Sequence, residues 1–381
     1  LVGVWETLEE TGALERFLPE WERVRLLPHA STVHNYTVDR HLVETCVAAA
    51  SLVRRVSRPD LLLVAALLHD IGKGEAGDHS IAGAPVALAM ARRMGFDEAD
   101  AAVIEKLVRQ HLLLPDLATT RDPEDPETVA AVVDVLDHPD ELDLLAALTE
   151  ADAIATSDKA WSPWRATMIR DLVARARAAM AGHGAHDVAG FPEHALVESV
   201  GNAAVWEIVD TDVAGTSRVR LTAPDRPGLL ADAAATFALA RVSVHAARVG
   251  TLDDVGVSEW LVTDAALDLA VLRQRFEAIR SGQLDVGARL SSVSGGADPV
   301  VLVRPGESTR ATVLEIRFQD DRGTLFRVLR ALAELDLTVV SARVNTFGPQ
   351  AVDVFYDQEV GAGALSDERA AAAANGVRRA L

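Results

Sequence analysis

The apolar run LLLVAALL, Leu61–Leu68, ends directly on His69-Asp70, and Lys73 follows three residues later. An imidazole next to a carboxylate offers two ligands to a divalent cation, and a compact ammonium close by can neutralise phosphate charge. The same half of the chain carries His29, His34, His41, His79, His111 and His138. One histidine on a helix is ordinarily a core or surface residue. Several of them, with Asp70 beside one, suit a borderline divalent ion such as zinc, manganese or iron, in an open mixed site that keeps room for water. A site of that kind acidifies water and offsets phosphoryl charge, so phosphoester hydrolysis needs no protein nucleophile. His29 and His138 read as surface residues, and the bland reading of His79 is a helix start after Asp78, a good cap.

The elements that must hold these groups are helices. From Val2 to about residue 181 the apolar positions recur at helical spacing, as in Leu42, Cys46, Ala49 and Val53. Stops are legible at Arg58-Pro59, around Gly72 to Gly77, at Met94-Gly95 and in the acidic RDPEDPE segment at 121–127. Helices are predicted over 128–137, 139–156 and 161–180. Residues 182–216 read as a linker with some local structure. Beyond it Arg218–Ala223 alternates, 229–240 is helical, and 242–252 and 255–263 are β-like.

That strand, helix, strand, strand order recurs at a gapless offset of about 95 residues, which aligns Asp225 with Asp320, Gly228 with Gly323, Arg248 with Arg343 and Thr251 with Thr346. Each copy runs on into a helix, near 272–279 and 367–381. The expected organisation is a helical domain over 1–181, a linker over 182–216, and two α+β modules over 217–304 and 311–381.

With 381 residues the chain exceeds what a single core usually organises. A net charge of −20 sets a repulsive average field against a phosphate backbone, which excludes nucleic acid as an expected partner. The single cysteine, Cys46, excludes an internal disulfide and a cysteine-based zinc cage and fits a reducing cytosol. No run approaches the ~20 apolar residues of a membrane span, so no membrane role and a cytoplasmic location are expected. A start at Leu1 suggests a processed chain or an excised fragment.

Two resemblances sharpen this reading. His34 before YTV, His69-Asp70 in LLHDIGKG, and Asp152 in ALTEADAIAT resemble the His, His-Asp, Asp ligands of the HD phosphohydrolase superfamily. The resemblance implies metal ligation by His34, His69, Asp70 and Asp152, with Mg, Mn, Fe or Zn as the divalent ion. His79 in GDHS and His111 in RQHLLLP fall where such proteins carry extra histidines for a second metal or the substrate phosphate. Asp70 can bridge or hold the attacking water, and Lys73, His79 and His111 are the candidates for leaving-group acid. The repeated TAPDRPGLL unit resembles the ACT domain, a βαββαβ regulatory module that binds amino acids at its first turn. There Asp225 and Gly228, and Asp320 and Gly323 in the second copy, are the effector candidates, because a turn exposing N–H groups at a helix start favours a carboxylate. The second copy departs from DRPG, with Arg322 in place of the proline. The two modules can pack on each other or dimerise the chain.

HNYTVDRH, HDIGKGEAGDHS and VRQHLLLPDLATTRDPEDPE followed by two ACT-like units together resemble the C-terminal part of the bifunctional uridylyltransferase/uridylyl-removing enzymes of nitrogen regulation. That resemblance implies removal of UMP, or in some relatives AMP, from a tyrosine of the PII protein, with glutamine as effector. No Gly-Ser turn with a paired Asp-x-Asp strand, as a transferase domain would need, occurs in the chain. Two alternatives stay open at this point: a guanosine tetraphosphate-type HD hydrolase with ACT regulation, and a non-catalytic glutamine-sensing module.

Overall fold

The computed structural model describes residues 1–29, 36–157, 160–183, 191–192, 203–211, 215–263, 267–290, 298–347, 350–359 and 363–381. The chain divides into two compact units, Leu1–Ala118 with Ala130–Gly184, and Thr119–Val129 with Ala185–Leu381.

The first unit is helical. It contains α1 (Val2–Glu10), α2 (Ala13–Phe17), α3 (Val38–Leu52), α4 (Pro59–Leu68), α5 (His79–Met94), α6 (Glu98–Gln110), the start of α7 (Leu113–Thr120), the end of α8 (Pro126–Val133), α9 (Pro139–Thr156) and α10 (Pro163–Met180). Pro59, Pro139 and Pro163 open their helices at the first position, where a missing N–H costs nothing. Asp78, Asp97 and Ser162 cap α5, α6 and α10 through their side chains. α3 packs between α4 and α9, and α5 lies along α6. Leu61, Leu62, Ala65, Ala66 and Leu68 of α4 are all buried, so this helix runs through the core. None of the described helices is long and apolar enough to cross a membrane.

The second unit is built on a nine-stranded sheet with the order β1-β2-β4-β3-β7-β8-β6-β5, and β9 added to β8. In chain order the elements are β1 (Val205–Thr211), β2 (Thr216–Pro224), α11 (Leu229–Ala240), β3 (Val244–Leu252), β4 (Val255–Thr263), α12 (Leu269–Arg280), β5 (Val300–Arg304), β6 (Thr312–Gln319), α13 (Thr324–Ala333), β7 (Leu337–Phe347), β8 (Gln350–Glu359), β9 (Gly363–Ala364) and α14 (Asp367–Ala380). The strand, helix, strand, strand repeat holds element for element.

The outer strand of each copy differs from a βαββαβ order. β1 pairs with β2, and β5 pairs with β6, so each copy takes its fourth strand from the chain that precedes it and reads ββαββα. Val300–Arg304, placed before a module boundary at 304, therefore pairs in the second copy, and Val205–Thr211, placed in the linker, pairs in the first. Both strands are short and carry exposed residues, such as Ile208 and Val303, as edge strands do. Their alternation is correspondingly weak as a sequence signal.

The copies join through antiparallel β3 and β7, with Arg248 opposite Arg343. These two residues are equivalent in the repeat, so a pseudo-twofold axis passes between them. Like charges directly across a ladder repel. Glu259 accepts from Arg248 at 2.7 Å, and Asp122 lies 3.4 Å from Arg343, so each guanidinium has its own carboxylate. Asp122 belongs to the Thr119–Val129 segment, whose backbone also receives hydrogen bonds from Asn345 at Thr119 and donates from Asp122 to Tyr356. One apolar core, from Trp206 and Phe237 to Phe326 and Val377, runs under both copies.

Candidate functional site

Five of the helical unit's elements converge on one cluster. His41 stands in the first turn of α3, His69 ends α4 with Asp70 in the following turn, His79 opens α5, His111 ends α6, and Asp152 lies near the end of α9. His41 Nε2 is 3.3 Å from His69 Nε2 and 2.9 Å from Asp152 Oδ1. His79 Nε2 is 3.3 Å from His111 Nε2 and 3.2 Å from Asp70 Oδ1. Two ligand groups result, His41 with His69 and Asp152, and Asp70 with His79 and His111. Asp70 spans them, because its Oδ2 lies 3.5 Å from His69 while its Oδ1 faces the other pair.

The tautomers are set from behind. His69 Nδ1 lies 3.0 Å from the Ala66 carbonyl and His111 Nδ1 lies 2.7 Å from that of Val108. A carbonyl can only accept, so both rings carry their proton on Nδ1 and aim an Nε2 lone pair at the cluster centre. Lone pairs that face one another and two carboxylates need a cation among them, and Asp70 Oδ1 is buried without a hydrogen bond of good geometry. The donor set therefore fits divalent metal.

Without a metal, burial opposes ionisation of His69, but Asp70 and Asp152 outweigh it and raise its pKa to about 9, so a bound cation would take the place of the proton on Nε2. Burial and the neighbouring His69 push His111 down to about 4. Burial would raise Asp70 and Asp152, yet the imidazoles, and Lys73 at Asp70, hold both well below the usual carboxylate range.

His41, His69, Asp70 and His111 are buried, whereas Asp152, His79 and Lys73 keep 21–27% of their side chains exposed and mark the open side. Lys73 Nζ sits 2.6 Å from Asp70 Oδ2 and 3.1 Å from His29 Nδ1. Gly72 makes the turn compact: a Cβ there would lie 2.2 Å from the His79 carbonyl oxygen and 2.4 Å from Gly83 N. Backbone contact at Gly72 thus ties the start of α5, and with it His79, to the His69-Asp70 turn.

Of the sequence candidates, His69, Asp70, Lys73, His79, His111 and Asp152 come together here. His34 lies outside the described residues. The residue that the α3 helix brings to His69 and Asp152 is His41, seven positions further on. A signal for it was available: Val38, His41, Thr45, Ala49 and Leu52 lie along the buried face of α3, and His41 is the imidazole among them. His29, read as a surface residue, is half-buried and stands edge-on to His41 with ring centroids 5.4 Å apart. His138 is exposed at the start of α9.

In the sheet unit, Gly228 and Gly323 cap α11 and α13 with φ of 82° and 90°, the left-handed conformation that glycine adopts readily. Asp225 and Gly228 line a cavity of about 200 Å³, and Asp320 and Gly323 one of about 370 Å³. Each cavity is closed by the helix end and following strand of the other copy, Ala333 to Val339 in the first and Ala238 to Val244 in the second. The repeat alone did not reveal that exchange.

The HD domain model matches residues 38–144 and the ACT domain model matches residues 217–281. Among curated proteins, the bifunctional uridylyltransferase/uridylyl-removing enzyme of Streptomyces coelicolor is 39% identical over 100% of this chain and 53% of its own length. Those of Mycobacterium tuberculosis and Gluconobacter oxydans are 39% and 30% identical, each over 93% of this chain and 47% and 46% of theirs. The chain is a homologue of these enzymes. It spans about half the length of the curated relatives it matches. The chain carries an HD domain and an ACT domain, and its His/Asp groups fit a divalent metal.

Proposed function

We propose that this chain hydrolyses the phosphodiester linking a nucleotide, UMP or alternatively AMP, to a tyrosine of a PII-type regulatory protein, and that glutamine acting on the ACT pair sets the rate. The observation that carries the reading is the pair of His/Asp groups sharing Asp70 in a chain whose relatives are named for uridylyl removal. His41, His69 and Asp152 would hold one divalent ion, and His79, His111 and Asp70 a second. When bound, such ions acidify water and offset charge on the phosphoryl oxygens.

The chain's own groups do the rest. Asp70, held ionised by its imidazole and ammonium neighbours, orients water and keeps the two ligand groups in register. Lys73, on the open side, meets a non-bridging phosphoryl oxygen and adds a compact positive charge. Lys73 also passes a proton to the departing tyrosine oxygen, since His79 would be committed to the second ion. His111 is unsuited to that step, since burial and His69 keep it neutral, and serves through its lone pair.

The test uses uridylylated PII as substrate and His69→Ala as the variant. Loss of bound metal together with loss of UMP release supports the proposal, and full release by the variant rejects the site. Release from PII but not from free nucleotides or guanosine tetraphosphate supports the substrate assignment, and the reverse pattern rejects it.

A further inference from the structure

The two cavities of the sheet unit occupy equivalent places in the repeat, but their linings differ in size and charge. In the first, Asp225 is already engaged: its Oδ2 accepts from Thr251 at 3.1 Å and its Oδ1 from the backbone of Arg226 at 2.9 Å. Arg226 itself pairs with Asp232. Leu229 fills the space above Gly256, where an added Cβ would meet its Cδ2 at 2.8 Å. The repeat puts the smaller Thr324 in place of Leu229 and Ala351 in place of Gly256. The second cavity is correspondingly larger, about 370 Å³ against about 200 Å³. Only the larger value falls within the roughly 300–1,000 Å³ of small-molecule sites.

Asp353 lines this larger cavity from β8. It is fully buried, and neither carboxylate oxygen makes a hydrogen bond of good geometry. Its counterpart in the first copy is Ser258, whose oxygen accepts from Trp260 Nε1 at 2.8 Å. Burial pushes Asp353 well above the usual carboxylate range, and the nearby Asn345 backbone offsets only part of this. A buried acid of this kind is costly until a cation meets it. Opposite it the cavity offers the N-terminus of α13 at Gly323, with Arg241 and Arg322 in the lining, a setting that favours an anion. Positive and negative receptors thus face one small cavity.

We infer that the second-copy cavity takes a free α-amino acid, one per chain, with its ammonium on Asp353 and Asp320 and its carboxylate at the start of α13, while the first-copy cavity stays empty of ligand. This rests on the reading that the ACT pair senses an amino acid, and adds which copy does so and through which residue.

Calorimetric titration of the whole chain with L-glutamine, and with its analogue lacking the amine, tests it. One site is expected for glutamine and none for the analogue. Asp353→Asn should weaken binding at least about tenfold, the effect of removing a charged hydrogen-bond partner. Asp320→Asn, at an exposed position where folding is not at stake, should weaken it severalfold, and Asp225→Asn should leave it within about twofold. Loss of binding in Asp225→Asn with retention in Asp353→Asn and Asp320→Asn would overturn the assignment while sparing amino-acid sensing. A wild-type chain that binds no member of a panel of free L-amino acids would overturn both.

Discussion

The buried Asp70 of the helical unit and the buried acids of β8 in the sheet unit are handled in opposite ways. Asp70 sits among His69, His79, His111 and Lys73, and its pKa falls well below the ordinary value although burial alone would raise it. Asp353 and Asp357 share one face of β8 with Phe355 between them, both buried, and neither has a hydrogen-bond partner of good geometry. Burial lifts both, Asp357 to about 8. A buried acid remains charged only where the fold brings cations to it; otherwise it keeps its proton. Around Asp70 the helical unit therefore stores negative charge ready for metal and phosphate, whereas β8 of the sheet unit stores neutral acids, of which Asp353 lines the larger cavity.

The sharpest break in this contrast comes from the ligands of the first group. His41→Ala should lose metal and cut nucleotidyl release by more than the roughly 10–100-fold that losing an outer-shell partner costs. His34→Ala should retain metal, as elemental analysis of the two purified variants would report. The opposite result would replace His41 by His34.

Gly72→Ala comes next. A methyl group cannot fit against the His79 carbonyl and Gly83, so α5 must shift and carry His79 away from Asp70. Activity should fall by about 100-fold, as expected for a displacement of about 1 Å at a catalytic site. Metal analysis should show loss from the His79 group with retention at the His41 group; unchanged metal and rate would mean that the turn tolerates the methyl.

Lys73→Ala should keep its metal and reduce turnover by about 100-fold, the low end of what a positioned proton donor contributes. A lower metal content instead of slower turnover would assign Lys73 to holding Asp70 rather than to the substrate.

The smallest effect concerns the uncompensated acids. Burial pushes Asp357 up to about 8 in the folded state, above the ordinary carboxylate value of 3.8, so the folded state keeps a proton that the unfolded chain releases. Its contribution is fully present below about pH 4 and declines as pH rises, levelling above about 8. Asp357→Asn should flatten the stability profile across that window by about 1.4 kcal/mol per pH unit, measured by denaturant unfolding. An unchanged slope would show that Asp357 has a cation partner in solution.

Much of the fold was legible because its signals are local. Helical spacing predicted α9 at its observed ends, Pro139–Thr156, and the last helix of that half at 161–180 against the observed Pro163–Met180. The 95-residue repeat predicted two modules that share their order of elements. The outer strands β1 and β5 were missed, since a short edge strand with one face in solvent leaves little periodic trace. For the metal centre, residue types singled out His69, Asp70 and Lys73, and the family resemblance added His79, His111 and Asp152, but the choice between two histidines seven positions apart depends on where α3 begins.

By itself, then, the sequence determined the helix-then-sheet succession, the duplication and the chemistry of the His-Asp turn, because apolar period, capping and residue identity act within a few positions of chain. Only the tertiary structure decided that His41 meets Asp152 across 111 residues, that each turn's cavity is closed by the other copy, and that Asp353 stands where its repeat partner is a serine. These depend on helix packing and strand register between distant segments, and no local property of the chain encodes which buried charge will find a partner.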